Sequence, residues 1–242
     1  MNVGIIGFGQ LGQFMAKHLK NHFDIFAADI SEKKGIAEAI GIKFTTIEDA
    51  ASKEIVLISV PISEFEKTLH RIKSSVRPNA LILDVCSVKV NPCKAMEKIL
   101  PDNVELIGTH LLFGPQSGAN GINGLKIVVC PIRTSRLEKV NDFLKKLGLN
   151  VIRATAEEHD KEMAETQILE HFIGRALINL GIKSHEITTS SFNKLLELKD
   201  ILKDDSFQLF KDIQNFNPFS KKVREKFLDE LIRINSNFEE AK

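Results

Sequence analysis

Short β-branched runs alternate with amphipathic segments through about the first 150 residues, the βαβ signature of a parallel sheet. Candidate strands end near Ile6, Ala28, Ser59, Asp84, Gly108, Cys130 and Arg153. Helix starts between them carry their own signals. Ser63 with Glu66 makes a capping box, and Asn91-Pro92 sets a cap before a first-turn proline. A helix from about Ser135 places Leu137, Val140, Leu144 and Leu147 on one face, and Gly148 is positioned to end it. Beyond Arg153 the strand pattern stops. From Glu157 onward the chain reads as helices with breaks near Gly181-Ile182-Lys183-Ser184 and Asn217-Pro218. The expectation is an α/β chain, with a parallel-sheet domain over 1–154 and a smaller all-helical domain over 155–242. Leu195, Leu198, Leu202, Phe207, Phe210, Phe227 and Leu231 are the apolar residues that second part has to cover. So short a domain favours burying some of them in a homodimer.

Composition narrows the partners. The chain is 43% hydrophobic and 27% charged with a formal net charge of +1, which gives no electrostatic reason to expect nucleic acid or an anionic membrane. No apolar run reaches the ~20 residues of a membrane span. The chain enters a strand at once, at Asn2-Val3-Gly4-Ile5-Ile6, so a signal or transit peptide is not expected. Cys86, Cys93 and Cys130 lack metal-ligand spacing and read as idle thiols of a reducing cytoplasm, with no metal expected.

Gly7-Phe8-Gly9-Gln10-Leu11-Gly12 follows a strand and opens a helix. Gly7 permits a tight turn, Gly9 lets a pyrophosphate approach the backbone, and Gly12 lets helix and strand pack closely. The helix N-terminus then offers free N–H groups to the phosphates. Asp29 closes the next strand at about the ~20-residue distance of a dinucleotide fingerprint, making the first domain a candidate Rossmann domain. An acid there accepts from both ribose hydroxyls and repels a 2′-phosphate, which favours NAD over NADP. Lys33 and Lys34 are the counterweight.

In an open parallel sheet, ligands bind beyond the carboxyl ends of the strands. Ser59-Val60-Pro61, Ser87-Val88-Lys89 and Thr109-His110 fall at such ends, so Ser59 and Pro61 join the cofactor-binding candidates. A histidine beside a nicotinamide can take a proton from an alcohol while hydride leaves its carbon. His110 is the candidate base and Ser87 the candidate group that fixes it. Lys89 can hold an anionic substrate or orient the loop. In the helical part Gln167, His171 and Arg175 recur every four residues and share one helix face, a candidate wall of a substrate pocket. Arg175 can grip a carboxylate bidentately.

Taken together, these blocks resemble the prephenate/arogenate dehydrogenase family. The resemblance runs through the glycine fingerprint, Asp84-Val85-Cys86-Ser87-Val88-Lys89, the block from Gly108 to Gly118, and Glu158-His159-Asp160. It continues in Gln167 to Arg175, Asp205-Ser206-Phe207-Gln208-Leu209-Phe210 and Asn217-Pro218. It implies a Rossmann domain followed by a helical dimerisation domain, with His110 as catalytic histidine oriented by Ser87. The implied activity is an NAD-dependent oxidative decarboxylation in tyrosine biosynthesis. The chain departs from the family pattern in having His110-Leu111 rather than His-Pro, Gln116 rather than Glu, and Glu170 where some bacterial members bind substrate with Arg. Cys130-Pro131 stands where some arogenate users carry an acid, which leans the substrate towards prephenate. Arogenate, or a non-catalytic NAD-sensing module, are the alternatives.

Overall fold

The computed structural model describes residues 1–203 and 205–239, so the end of the expected helical domain, residues 240–242, lies outside the described residues. The chain divides into two compact units, Met1–His159 and Asp160–Lys242. The division falls a few residues beyond 154 because Ala154 and Ala156 still pack with Cys93, Val128 and Cys130 of the sheet unit.

The first unit carries β1 (Asn2–Ile6), β2 (Asp24–Ala28), β3 (Lys43–Phe44), β4 (Ile55–Ile58), β5 (Leu81–Asp84), β6 (Glu105–Leu111), β7 (Lys126–Arg133) and β8 (Asn150–Arg153). They form one sheet in the order β3-β2-β1-β4-β5-β6-β7-β8. Strands β1 to β6 are parallel, as expected. β7 is not: it runs antiparallel to β6, and β8 runs parallel to β7. The segment between Leu111 and Lys126 contains no helix, and without a crossover helix the chain returns antiparallel. The two-residue β3 is too short to leave a periodic trace in the sequence.

Helices α1 (Gln10–Leu19), α2 (Lys34–Ile40), α3 (Ile47–Ala51), α4 (Ile62–Ile72), α5 (Val90–Ile99) and α6 (Leu137–Lys146) connect the strands.

 Helix α5 spans Val90–Ile99 without interruption. The residues of α6 that the sequence placed on one face do pack inward. Leu137, Val140 and Leu144 lie against the core formed by Val3, Ile5, Leu57, Leu83 and Ile107, and Leu147 lies against Phe113 and Ile127. Gly148, at φ +87°, ends the helix in the left-handed conformation that glycine adopts without steric cost. Ser63 does not open the helix as expected. α4 already starts at Ile62 behind Pro61, because burial of Ile62 and Phe65 draws the first turn back. Pro92 does sit in the first turn of α5, although Lys89 rather than Asn91 precedes the helix.

The second unit begins within α7 (Ala156–Met163), which runs into a π-helical turn over Ala164–Ile168. It continues with α8 (Leu169–Asn179), α9 (Ser190–Leu202), α10 (Phe207–Phe216) and α11 (Ser220–Glu239). Both expected breaks are present. A third separates α9 from α10, where the Ser206 hydroxyl accepts from the Leu209 amide and caps α10. Of the apolar residues expected to be covered, Leu202 is buried, whereas Leu195, Phe207 and Leu231 stay exposed. Among the described residues no helix is long and apolar enough to cross a membrane.

Candidate active site

Sheet register sets the site. Ile6 pairs with Ile58, Ile58 with Asp84, and Asp84 with Gly108. The residues that follow them, Gly7, Ser59, Ser87 and His110, therefore gather along one carboxyl edge of the parallel strands. β1 and β4 are adjacent while β2 lies on the other side of β1, so strand order reverses at this point, where such sheets bind their ligands.

The glycine loop has the form a dinucleotide needs. Gly7 has φ +92°, and a Cβ there would stand 2.2 Å from the Ser59 carbonyl oxygen. A Cβ at Gly12 would stand 2.2 Å from the Gly7 carbonyl oxygen. Gly9 is different: nothing lies within 4 Å of a Cβ built on it. It precedes α1 with no side-chain cap, leaving the first-turn amides to a ligand. Phe8 contributes through its backbone, since its ring is buried in the core, and Gln10 and Leu11 begin the helix. Pro61 is exposed at the start of α4.

Gly9→Ala is accordingly expected to melt at the parent temperature yet bind a dinucleotide about tenfold or more weakly, a loss of about 1.4 kcal/mol or more. Thermal melting and calorimetric titration check the two halves. Unaltered affinity would remove Gly9 from the site.

Asp29 closes β2 with both carboxylate oxygens engaged. Oδ2 accepts from the Phe8 amide at 2.7 Å and from Lys33 Nζ at 2.8 Å, and Oδ1 accepts from the Ser31 amide at 2.9 Å. Burial works against its charge, but Lys33 and the two amides outweigh burial and hold the carboxyl below its ordinary range. Lys33 also donates to the Phe8 carbonyl at 3.1 Å, so Asp29 and Lys33 together brace the glycine loop.

His110 lies in β6, 3% exposed. Its Nδ1 is 2.8 Å from Nε2 of His159, which is also 3% exposed, and the two rings meet edge to face. Burial first, then the charge of His159 and that of Lys89, hold the His110 imidazole well below the ordinary histidine range. A neutral ring with one nitrogen engaged is the state in which histidine accepts a proton. Ser87, the expected orienting group, makes no hydrogen bond to His110 among the described residues; His159 holds that place. His159 stood in the Glu158-His159-Asp160 block of the family resemblance, with no role assigned to it. Thr155 and Glu158 form a capping box whose side chains and amides bond reciprocally, and it sets the first turn of α7.

Of the two roles expected of Lys89, its surroundings suit the second, orienting the chain, and not the first. It is 0% exposed, its Nζ bonds Asp84 Oδ1, and it donates to the Thr109 carbonyl at 2.6 Å. A side chain so enclosed does not reach a substrate. It ties the start of α5 to β5 and to the residue before His110. Burial disfavours the ammonium, but Asp84 outweighs it, and the Lys89 pKa rises above its ordinary value.

In the helical unit Gln167 falls in the π-helical turn, a distortion frequent at functional sites, and its Oε1 is buried without a hydrogen-bond partner. His171 and Arg175 converge on Asp205. His171 Nε2 is 3.8 Å from Asp205 Oδ2, and Arg175 donates to the Asp205 carbonyl at 3.3 Å. The Arg175 guanidinium also lies over the rings of Phe207 and Phe210. Burial lowers the His171 pKa, opposed by Asp205 and reinforced by Arg175. Burial, followed by the Asp205 charge, raises that of Glu170. Spacing had aligned the first three residues. Asp205 escaped it because a loop brings it in from another helix pair.

Comparison with known proteins gives this geometry a context. The family model for the nucleotide-binding domain of prephenate dehydrogenase matches residues 15–153, and a TYRAAT1-like C-terminal domain matches residues 176–242. Arogenate dehydrogenase 2, chloroplastic, of Arabidopsis thaliana is 31% identical over 254 residues, covering 100% of this chain and 69% of the plant protein. A probable arogenate/prephenate dehydrogenase of Methanocaldococcus jannaschii is 32% identical, covering 97% of this chain and 56% of that protein. Among solved structures, prephenate dehydrogenase from A. aeolicus in complex with hydroxyphenyl propionate and NAD+ superposes with a TM-score of 0.79 at 22% identity, over 98% of this chain and 90% of that one.

Proposed function

Because the chain belongs to the prephenate dehydrogenase family, we propose that it oxidatively decarboxylates prephenate to 4-hydroxyphenylpyruvate with NAD, a step of tyrosine biosynthesis. The observation that carries this reading is His110, buried and neutral, on the same sheet edge as the glycine loop. Open space at Gly9 and the uncapped start of α1 fit a pyrophosphate, and Asp29 fits the adenosine ribose. When bound, NAD supplies the acceptor for the hydride that leaves C4 of the ring. His110 takes the proton of the C4 hydroxyl on its Nε2, and carbon dioxide departs as the ring aromatises. Aromatisation drives the step, so the protein chiefly positions the ring and stabilises charge.

NAD is favoured over NADP because Asp29 is held charged and Lys33 is already paired with it. For the helical unit the same reading keeps Gln167, His171 and Arg175 as substrate-binding residues, with Arg175 the carboxylate ligand. Exposed Leu195, Ile201, Phe207, Leu231 and Ile232 in that unit support a homodimer. Three buried cysteines, none of them in a disulfide among the described residues, support a reducing compartment such as the cytoplasm. A second reading, arogenate as substrate, is favoured by the carboxyl groups of Glu170 and Asp205 beside His171, which suit an ammonium group.

The test is NADH formation by the purified protein with prephenate or arogenate, repeated with NADP. Turnover of prephenate with NAD supports the first reading and turnover of arogenate alone the second. Dinucleotide binding with neither turnover would make the chain a sensing module.

A further inference from the structure

Two buried histidines from distant parts of the chain, 2.8 Å apart, have a consequence for proton transfer. Between neutral imidazoles only one ring donates across the contact. If His159 Nε2–H donates, the lone pair of His110 sits on Nδ1, facing its neighbour, and His110 Nε2 carries a proton. That ring cannot accept another. If His110 Nδ1–H donates, the lone pair sits on Nε2 and the ring can act as a base. We propose that His159 is a positioning residue for His110, accepting the Nδ1–H on its own Nε2 and so leaving His110 Nε2 free to take the substrate proton.

The surroundings make this contact rigid. The Thr155–Glu158 capping box fixes the turn from which His159 projects, and the His159 amide donates to the Thr155 carbonyl at 3.0 Å. Ala154 and Ala156 anchor that turn on Val128 and Cys130 of β7. On the other side, Val128 pairs with His110 across the β6–β7 ladder. Both rings thus project from backbone fixed by packing and hydrogen bonds, which is how a supporting residue holds a reacting one.

The charged groups acting on His110 are His159 from α7 and Lys89 from the start of α5. Lys89 is paired with Asp84 of β5. α5 and β7 otherwise bring the buried thiols of Cys93 and Cys130, opposite Gly108 rather than His110.

This inference rests on His110 being the general base, so its test has an arm independent of turnover. Nitrogen-15 imidazole spectra of the full chain would be recorded without substrate for the wild type, His159→Gln and His159→Leu, with His110 assigned from His110→Asn. The wild type should show His110 protonated on Nδ1. Gln offers an acceptor at about the reach of the imidazole Nε2 and should preserve that tautomer; Leu should lose it. In kinetics, His159→Leu should lower kcat about 10- to 100-fold with little change in KM for NAD, and His159→Gln should recover most of the loss. A His110 tautomer unchanged in His159→Leu overturns the proposal, as does an Nε2-protonated His110 in the wild type. Should the Leu variant not fold, loss of the Nδ1–H tautomer in His159→Gln overturns it. Absence of turnover with both substrates would refute the enzymatic reading while the spectra still decide the tautomer.

Discussion

Asn in place of His110 should lower kcat about 100-fold or more while leaving dinucleotide affinity unchanged. The amide has roughly the reach of Nδ1 and can keep a hydrogen bond to His159, but it offers no nitrogen that gains a proton. The glycine loop, where we place the dinucleotide, follows another strand, which is why affinity should hold. Steady-state turnover and calorimetric titration separate the two effects, and unchanged turnover would remove His110 from the chemistry. The wild-type pH profile follows from the same environment. Burial, His159 and Lys89 depress the His110 pKa, so the ring stays neutral, and active as a base, as pH falls through the ordinary histidine range. In that window the unfolded chain binds a proton that the folded chain does not, so stability drops as the pH is lowered through it, even while the ring stays neutral.

Lys89→Met should destabilise the sheet unit by about 3–5 kcal/mol, because it leaves the Asp84 carboxylate buried without its counter-ion. Both side chains are 0% exposed, and Asp84 Oδ2 already lacks a hydrogen-bond partner among the described residues. Replacing both residues, as Asp84→Leu with Lys89→Met, should recover much of that loss, since an apolar pair of similar size carries no desolvation cost. Urea unfolding of the three variants and the parent measures this. A single-variant loss under about 1 kcal/mol would show the pair to be solvated and return Lys89 to the list of substrate ligands. The Thr109 carbonyl, which Lys89 also holds, adjoins His110, so the single variant should lose activity even where it remains folded.

Local signals in the sequence were enough for much of the fold. The βαβ alternation, the glycine fingerprint with Asp29 and the apolar face of α6 all depend on neighbours within one or two turns or on a motif with fixed spacing. Each was found where expected. The reversal of β7 was not legible, since strand direction depends on the route of a connection that has no periodicity of its own. The start of α4 was placed too late, at Ser63, for a related reason. A cap contributes about 1 kcal/mol, and burying Ile62 and Phe65 outweighs it.

The candidate site divides in the same way. Sequence by itself determined that a dinucleotide loop, an acid at the end of β2 and a histidine at the carboxyl edge of β6 belong to one sheet, because parallel strands with short connections bring their ends together. Only the tertiary structure decided what each polar side chain does there. Lys89 had the composition of a ligand but was drawn into the core by Asp84. Ser87 stood nearest in the motif, yet His159, 49 positions along the chain, meets the imidazole. Hydrogen-bond partners are selected by distances of a few tenths of an ångström between packed elements, and no one-dimensional spacing specifies those.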